Sequence, residues 1–303
     1  MVIAGPNPTI DRMIGLDRFD PGFIHRADHV EARLGGGGVN AARVAIRVGA
    51  RPTLITSLPS EDEPHLLDGL RAEGIEVEGI RVDGRTRIAT ILRERDGRTS
   101  VLHEPGAALD IPGWEAFAKL AVQRLASGRV LLCSGSLPPG APIDGYARLA
   151  REARHAGCRC VVDAAGETLA ATIEAREGIV VPNLAEAEGL LFGTSAEAVL
   201  AGETPERAQE VASGLLGIGA HLAVVTAGAA GAAWSEGGRL GGSGWVDAQP
   251  VEAAHPVGAG DSFAAGFTHQ LEERSTLGDA VAAGVATAAA YLSGSLSTFD
   301  AAA

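Results

Sequence analysis

Short apolar runs alternate with helical patterns along most of the chain, and this alternation constrains its fold more than any other feature. From Pro52 onward, strand-like runs such as 53–58, 130–133 and 160–163 are separated by segments with helical spacing. A strand–helix–strand series folds as parallel strands joined by crossover helices. The pattern therefore predicts one α/β domain over residues 1–303. We expect a doubly wound, mostly parallel sheet of about eight or more strands with helices on both faces.

Two stretches depart from this pattern and resemble exposed strands. Apolar residues of segment 12–33 are spread among polar ones with rough alternation, which is typical of antiparallel strands with one solvated face. Segment 85–103 contains two further strand-like runs separated by the turn Asp96-Gly97. We expect these two stretches to form a small β lid beside the main sheet.

A glycine-rich run, Val257-Gly258-Ala259-Gly260-Asp261, precedes an apolar helical pattern. Such a loop can point several backbone N–H groups in one direction, and the helix N-terminus that follows favours an anion. A carboxylate at Asp261 would repel a bound phosphate. Its presence is explained if it takes a proton from a nucleophile that attacks the phosphate. The alternative is a turn in which Asp261 only caps the helix.

A second glycine cluster, Gly35-Gly36-Gly37-Gly38, is followed at once by Val39-Asn40 and a helical stripe. The immediate helix argues against a flexible linker. The glycines allow the backbone to approach a ligand, and Asn40 can both donate and accept hydrogen bonds. A dinucleotide-binding loop is a competing interpretation of residues 36–41. The preceding strand is polar and alternating, however, whereas that fold requires a buried one.

Several polar or glycine residues lie at the ends of other apolar runs, where open α/β sheets bind ligands. These are Asp11, Ser134, Asn183, Glu186, Thr226, Gly228 and Gly231. Structural explanations remain open for most of them: an Asx turn at Asp11, a capping box between Asn183 and Glu186, and a hairpin turn over 227–231.

Composition excludes several functions. The net charge of -13 disfavours a nucleic-acid partner or an anionic membrane surface. No apolar run has the length of a membrane span, and none precedes the chain as a signal peptide, so we expect a cytoplasmic protein. Lys119 is the only lysine, so no Walker A loop is present. The three cysteines lack zinc-site spacing and are interpreted as free thiols.

Taken together, these motifs resemble the PfkB carbohydrate kinases, the ribokinase-like family. The resemblance spans essentially the whole chain and rests on the order of the motifs. These are Asn7-Pro8-x-x-Asp11, Gly35-Gly36-x-Gly38-Val39-Asn40, Asn183-x-x-Glu186, Gly228-x-x-Gly231 and Val257-Gly258-Ala259-Gly260-Asp261. Asn7-Pro8, Thr86-Arg87-Ile88 and the segment 134–140 are similar to the branch that contains 1-phosphofructokinase and tagatose-6-phosphate kinase.

The resemblance implies an enzyme that transfers the γ-phosphate of ATP to a sugar hydroxyl, most closely a phosphorylated ketohexose. Asp261 would accept the proton, and the N–H groups of Gly258, Ala259 and Gly260 would hold the phosphate in transfer. Arg87 would bind the phosphate already on the sugar, because a guanidinium matches phosphate oxygens. The remaining acceptor-site residues would be Asp11, Gly35, Gly36, Gly38, Asn40 and Ser134.

The same resemblance implies an ATP site with magnesium and a partner. Thr226, Gly228 and Gly231 would form the nucleotide site together with Asn183. Asn183 and Glu186 would hold Mg²⁺ through water, since this ion keeps several waters. The lid would also provide the contact of a homodimer.

The chain departs from the family pattern at three places. Gly37 and Val181 stand where the family has lysines, and His255-Pro256 replaces a Ser/Thr pair. Alternatives therefore remain: a PfkB kinase of an unphosphorylated sugar or nucleoside, or a sugar- or nucleotide-binding protein with little catalysis. An NAD-dependent oxidoreductase is more distant. Asp261 argues against pure binding, because a binder gains nothing from a carboxylate beside the phosphate.

Overall fold

The computed structural model describes residues 1–126, 129–194, 204–239, 241–251 and 257–296. His255-Pro256, one of the departures noted above, lies outside these ranges. The strands are β1 (Val2–Ala4), β2 (Thr9–Leu16), β3 (His29–Gly35), β4 (Thr53–Pro59), β5 (Glu76–Val82), β6 (Arg87–Glu94), β7 (Thr99–His103), β8 (Val130–Ser134), β9 (Arg159–Asp163), β10 (Ile179–Val180), β11 (Leu222–Ala227), β12 (Gly231–Glu236) and β13 (Ser243–Asp247). The helices are α1 (Gly37–Arg47), α2 (Glu63–Ala72), α3 (Ile111–Gln123), α4 (Gly145–His155), α5 (Gly166–Glu174), α6 (Leu184–Phe192), α7 (Pro205–Gly217), α8 (Ala259–Glu272) and α9 (Leu277–Leu292).

The main sheet has nine strands within the described ranges, in the order β13-β12-β11-β10-β9-β8-β1-β4-β5. The strands from β11 to β5 pair in parallel, whereas β12 and β13 are antiparallel at one edge. This architecture confirms the expected doubly wound, mostly parallel sheet. The parallel arrangement brings the carboxyl ends of seven strands to one edge, where ligands bind in folds of this class.

Both faces of the main sheet are buried, which explains the uniformly apolar central strands. In β1, Ile3 belongs to the hydrophobic cluster packed under α1, α2, α8 and α9, whereas Val2 and Ala4 belong to the cluster on the opposite face. Successive strand residues point to opposite faces, so each strand contributes to both clusters. Helices α3 to α7 cover the second face. None of the described helices combines the length and apolar character that crossing a bilayer requires.

A separate four-stranded sheet has the order β3-β2-β6-β7. The central pair β2 and β6 is parallel, and the outer pairs are antiparallel. The expected strands in 12–33 and 85–103 are therefore present, although β2 begins at Thr9 and residues 17–28 form no strand. Register places Arg33, Asp11, Ala89 and His103 in one row across the four strands. This row lies on the sheet face that carries the candidate site.

Candidate active site

The N-terminus of α8 lies at the carboxyl edge of the main sheet and carries Asp261 in its first turn. Gly258 caps this helix with φ of 89°, a left-handed conformation that favours glycine. A Cβ at Gly258 would also lie only 2.7 Å from the Tyr291 hydroxyl. The amides of the first turn have no intrahelical acceptors, so they are able to donate hydrogen bonds to an anion next to Asp261.

Asp261 is held by a side-chain hydrogen bond and lies in a largely desolvated environment. Asn40 Nδ2 donates to Asp261 Oδ2 over 2.9 Å. Desolvation raises the pKa of Asp261 to about 6, while the Asn40 hydrogen bond lowers it, Asp11 raises it and Arg33 lowers it. A carboxylate with this pKa can accept a proton near neutral pH, as general-base catalysis requires.

Asn40 is itself fixed from the opposite side. Arg43 Nη1 donates to Asn40 Oδ1 over 3.1 Å, and Arg43 Nη2 donates to the Leu34 carbonyl over 2.8 Å. Arg43 also forms an ion pair with Glu73. The network leaves the Asn40 amide one orientation, in which its NH₂ group faces Asp261. Asn40 therefore positions the carboxylate as well as lining the cavity beside it.

A cavity of about 930 Å³ opens in front of Asp261. The predicted acceptor-site residues that line it are Asp11, Gly36, Asn40 and Arg87, and Asn7, Gly37 and His103 line it too. Asp11 is buried and accepts a hydrogen bond from the Thr9 hydroxyl. Gly35 lies behind Asp11. A Cβ at this position would be 1.9 Å from Asp11 Oδ2, so any residue other than glycine would clash with the Asp11 carboxylate.

Arg87 is a buried guanidinium in the wall of this cavity, not a surface residue. Its Nη2 donates to the Asn7 carbonyl over 3.2 Å and its Nη1 to the Glu104 carbonyl over 3.3 Å, whereas Nε has no hydrogen-bond partner. Desolvation lowers the pKa of Arg87, and Asp11 opposes this effect. None of the carboxylates in the described ranges forms an ion pair with Arg87. Its positive charge is therefore available to an anionic ligand.

A smaller cavity of about 190 Å³ adjoins the first and is lined by Asp163, Asn183, Glu186, Thr226, Gly258, Gly260 and Asp261, among others. Desolvation raises the pKa of Asp163 to about 8, with further contributions from Asp261 and Glu186. Desolvation also raises the pKa of Glu186. The carboxylates at this cavity thus repel one another, and a cation between them would be stabilised.

A third cavity, of about 480 Å³, is mostly apolar and lies beyond the second. Thr226 and Gly260 line both of these cavities, and Asp163, Glu186 and Asp261 line both the first and the second. The turn with Gly228 and Gly231 and the side chains of Phe263, Val285 and Leu292 enclose the third. The three cavities therefore form a series along the sheet edge, with the start of α8 between the two larger ones.

Comparison with known proteins identifies the family. Residues 6–301 match the model of the pfkB family carbohydrate kinases. The chain therefore belongs to the PfkB carbohydrate kinase family. It is 31% identical to the 1-phosphofructokinase of Xanthomonas campestris pv. campestris over 280 residues, which cover 89% of this chain and 83% of that protein.

Two Escherichia coli comparisons agree with this assignment. The chain is 31% identical to the ATP-dependent 6-phosphofructokinase isozyme 2 of strain K12, over 84% of this chain and 80% of that protein. The crystal structure of E. coli phosphofructokinase-2 in complex with fructose-6-phosphate has a TM-score of 0.82 to this chain at 27% identity, covering 96% of this chain and 93% of that one. The fold is thus ribokinase-like, and the chain is a sugar kinase.

In this PfkB kinase, Asn183 and Glu186 form the capping box that the sequence left as an alternative. Asn183 Oδ1 accepts from the Glu186 amide over 2.9 Å, and Glu186 Oε2 accepts from the Asn183 amide over 3.0 Å. Both residues nevertheless line the 190 Å³ cavity. Likewise, residues 227–231 form the turn between antiparallel β11 and β12, and Gly228 and Gly231 also line the apolar cavity. At both places, residues that form a helix cap or a turn also line a cavity.

Asp163 is a site residue that the sequence analysis missed. It ends β9 beside Ser134, whose hydroxyl donates to Asp163 Oδ2 over 3.1 Å. The sequence signal that could have identified Asp163 is its position at the carboxyl end of a predicted parallel strand. Ser134 itself is buried behind the wall of the acceptor cavity, and the neighbouring Gly135 and Ser136 line it. Substrate contact by Ser134 remains a prediction.

The two positions at which the family has lysines differ in their surroundings. Val181 is buried in the hydrophobic core and borders the 190 Å³ cavity. At Gly37, a Cβ would lie 2.7 Å from Ser134 Oγ and 2.9 Å from the Gly135 backbone. A longer side chain at Gly37 therefore requires the 134–135 segment to lie farther away.

We predict that Gly37→Ala destabilises the fold and raises the acceptor KM, because the new methyl group meets backbone that cannot rotate away. The expected loss is about 1–3 kcal/mol of unfolding free energy, measured by denaturant unfolding. Gly217→Ala is the matched control, since nothing lies within 4 Å of its Cβ in α7; helix propensity predicts a gain of up to about 1 kcal/mol. Wild-type stability in Gly37→Ala would contradict the close packing described here.

Proposed function

We propose that this kinase transfers the γ-phosphate of ATP to a hydroxyl of a phosphorylated ketohexose, of the fructose-1-phosphate or tagatose-6-phosphate type. The observation that carries the proposal is Arg87, a buried guanidinium in the wall of the 930 Å³ cavity that forms no ion pair with the carboxylates of the described ranges. A buried charge that no close ion pair neutralises is costly, and an anionic group of the substrate would reduce this cost. The names of the relatives, which are phosphofructokinases, support the same acceptor class.

The reaction follows from the order of the groups along the cavity. Arg87 binds the acceptor phosphate, and Asp11 and Asn40 orient the sugar beside the backbone of 35–38. Asp261 accepts the hydroxyl proton as the oxygen forms a bond to the γ-phosphorus and the bond to the leaving ADP oxygen breaks. The N–H groups of Gly258, Ala259 and Gly260 stabilise the charge on the transferring group.

The nucleotide is proposed to occupy the two remaining cavities. The apolar 480 Å³ cavity suits the adenine base, with Gly228 and Gly231 forming its turn. The polyphosphate then extends past Thr226 toward the start of α8, where the 190 Å³ cavity meets Asp261. ATP as phosphate donor also supports the expected cytoplasmic location.

Magnesium fits the 190 Å³ cavity. Desolvation raises the pKa values of Asp163 and Glu186, and the charges of Asp261 and Glu186 raise that of Asp163 further, so a cation among these carboxylates would be stabilised. We propose that Glu186 and Asp163 hold Mg²⁺, with Asn183 contributing through water. Such an ion, when bound, neutralises phosphate charge and prefers oxygen ligands and retained waters. Among the described residues, no cluster of three or more His, Cys, Asp or Glu side chains has metal-site geometry, so phosphate and water oxygens would complete the coordination.

We predict that Arg87→Ala raises the KM for the sugar phosphate strongly, by about 10-fold to 100-fold for the loss of a charged hydrogen-bonding partner. The KM for ATP should stay nearly unchanged. Arg85→Ala is the control, because Arg85 is exposed and lies two residues earlier. The measurement is an ADP-release assay with a panel of phosphorylated and free sugars. If a free sugar is the best acceptor and Arg87→Ala has no effect, the acceptor is unphosphorylated.

We predict that Asp261→Asn lowers kcat by about 10²–10⁴-fold, because it removes the proton acceptor while keeping the side-chain shape. ATP affinity should hold or increase, since a negative charge beside the phosphate is lost. In the wild type, kcat/KM should fall as the pH decreases through about 6, the pKa of Asp261, because the protonated carboxyl cannot accept a proton.

Asp279→Asn is the matched control, because Asp279 lies in the first turn of the neighbouring helix α9 and is exposed. Near-normal kcat in Asp261→Asn, with only the small stability loss of a helix cap, would show that Asp261 is not the base.

The four-stranded sheet is proposed to act as a lid and as the contact of a homodimer. Arg87, Ala89, Ile91, Val101 and His103 of this sheet form one wall of the acceptor cavity. The opposite sheet face carries exposed Val30 and Leu102, and the nearby loop exposes Phe23 and Ile24. Exposed apolar residues grouped in this way mark an association surface. E. coli phosphofructokinase-2 has been solved in a tetrameric inhibited form, so oligomers occur in a similar protein.

We predict that Leu102→Asp converts the dimer to a monomer, because it places a charge in the apolar contact. Sedimentation velocity measures the change in mass. Ile218→Asp is the control, since Ile218 is similarly exposed but lies after α7, away from this sheet. A wild-type protein that sediments as a monomer would contradict the proposed dimer.

A further inference from the structure

Arg33 is a partly buried cation behind the active site that the mechanism above does not use. It lies on β3 directly opposite Asp11 of β2. Its Nε and Nη1 atoms are inaccessible to solvent. Desolvation lowers the pKa of Arg33, and the neighbouring Tyr291 hydroxyl and Asp11 carboxylate oppose this effect. Burying a guanidinium in this way is unfavourable unless its contacts compensate.

Tyr291 connects Arg33 to the loop that begins α8. Its side chain is buried and its hydroxyl donates to the Val257 carbonyl over 3.2 Å. The same hydroxyl lies next to Gly258, whose Cβ would be 2.7 Å away if present. The Tyr291 hydroxyl donates its proton to the Val257 carbonyl. In its hydrogen bond with Arg33 the hydroxyl oxygen is therefore the acceptor and the guanidinium is the donor. The chain Arg33–Tyr291–Val257 therefore joins the four-stranded sheet to the anion-binding loop.

The charge of Arg33 also acts on the proposed base. The groups that face Asp261 come from several elements: Asn40 from α1, Asp11 from β2, Arg33 from β3 and Asp163 from β9. Arg33 is the positively charged member of this set. Arg43, which lies near Arg33, is already paired with Glu73.

We propose that Arg33 is a positioning residue for phosphoryl transfer: it fixes the Val257–Gly258 peptide through the Tyr291 hydroxyl and balances the charges of Asp11 and Asp261. The inference rests on the proposed transfer at Asp261, but it holds for any acceptor of the kinase. Arg33 does not line the cavities described above, so it acts through Tyr291 and Asp261 and not by touching the substrate.

Three variants separate the effect of Arg33 on the position of the Val257–Gly258 peptide from the effect of its charge on Asp261. Arg33→Gln removes the charge but keeps a donor for Tyr291, Arg33→Lys keeps the charge, and Tyr291→Phe removes only the hydroxyl. Arg71→Gln is the matched control, because Arg71 is exposed on α2. Each protein is assayed for kcat, KM and the pH profile of kcat/KM with the best acceptor of the wild type, and its thermal unfolding is recorded.

We expect Arg33→Gln to lower kcat by about tenfold or more, the effect of losing an interaction with a charged group. The acceptor KM should change less than kcat, and the acidic limb of the pH profile should move to higher pH, because the cation that lowers the pKa of Asp261 is gone. Arg33→Lys should restore the acidic limb. Tyr291→Phe should lower kcat by about fivefold, as for one neutral hydrogen bond, and leave the acidic limb in place.

Two results would overturn the inference. One is an Arg33→Gln enzyme with wild-type kcat and an unmoved acidic limb. The other is a loss of activity that follows thermal stability alone, with no shift of the limb and no recovery in Arg33→Lys, which would show a purely structural residue. The role of Arg33 can be tested even if the proposed acceptor is wrong. If the wild-type enzyme prefers a free sugar, the variants are compared with the wild type on that sugar.

Discussion

Carboxylates crowded next to a helix N-terminus are the constraint on which this active site depends. Asp163 and Asp261 have pKa values of about 8 and about 6, mainly because they are desolvated, and each also lies near other carboxylates. Such a cluster is unfavourable on its own. The surrounding structure compensates with the Asn40 amide, the Ser134 hydroxyl and the Arg33 guanidinium. The magnesium ion proposed for the 190 Å³ cavity would add to that compensation.

The fold explains why these groups meet. The parallel strands of the main sheet end at one edge, so Ser134, Asp163 and Thr226 come together although they are distant in sequence. Helix α8 begins at the same edge with Gly258, whose positive φ turns the loop into the helix. The four-stranded sheet then closes the acceptor cavity from outside with Arg87. In the proposed mechanism, phosphoryl transfer depends on how the four-stranded sheet sits against the start of α8, and Arg33 and Tyr291 connect these two parts.

Periodicity and strand-end residues were sufficient to predict most of the fold. The apolar runs predicted the parallel strands, because strands buried on both faces must be apolar. Strand β12 was anticipated only through the alternative of a hairpin turn over 227–231, and β13 was not anticipated: β12 has the sequence Gly-Ala-Ala-Trp-Ser-Glu, which lacks β-branched residues and has low strand propensity. Helix α7 was likewise not assigned in advance. The sequence did carry local signals for α7, because Thr204 caps its N-terminus and Pro205 opens its first turn, whereas packing at the sheet edge decides β12.

The candidate site could be predicted only in part. Motif order identified Asp261, Asn40 and Arg87, but a surface position for Arg87 could not be excluded before its burial was known. The Asn183–Glu186 spacing is equally suited to a capping box and to a ligand site, and the structure shows that it serves the first while bordering the second. Arg33 and Tyr291 carry no motif. Their relationship depends on the register of β3 and on the packing of α9, which a single sequence does not reveal.

We propose that one cavity aligns a phosphorylated sugar with the γ-phosphate at the start of α8. The most direct measurement is ³¹P NMR of the protein incubated with ATP, Mg²⁺ and each candidate ketohexose phosphate. We expect a second phosphomonoester on the sugar, formed in proportion to ADP, and thus a product that carries two phosphates. Transfer only to unphosphorylated sugars, or release of inorganic phosphate without any sugar bisphosphate, would contradict it.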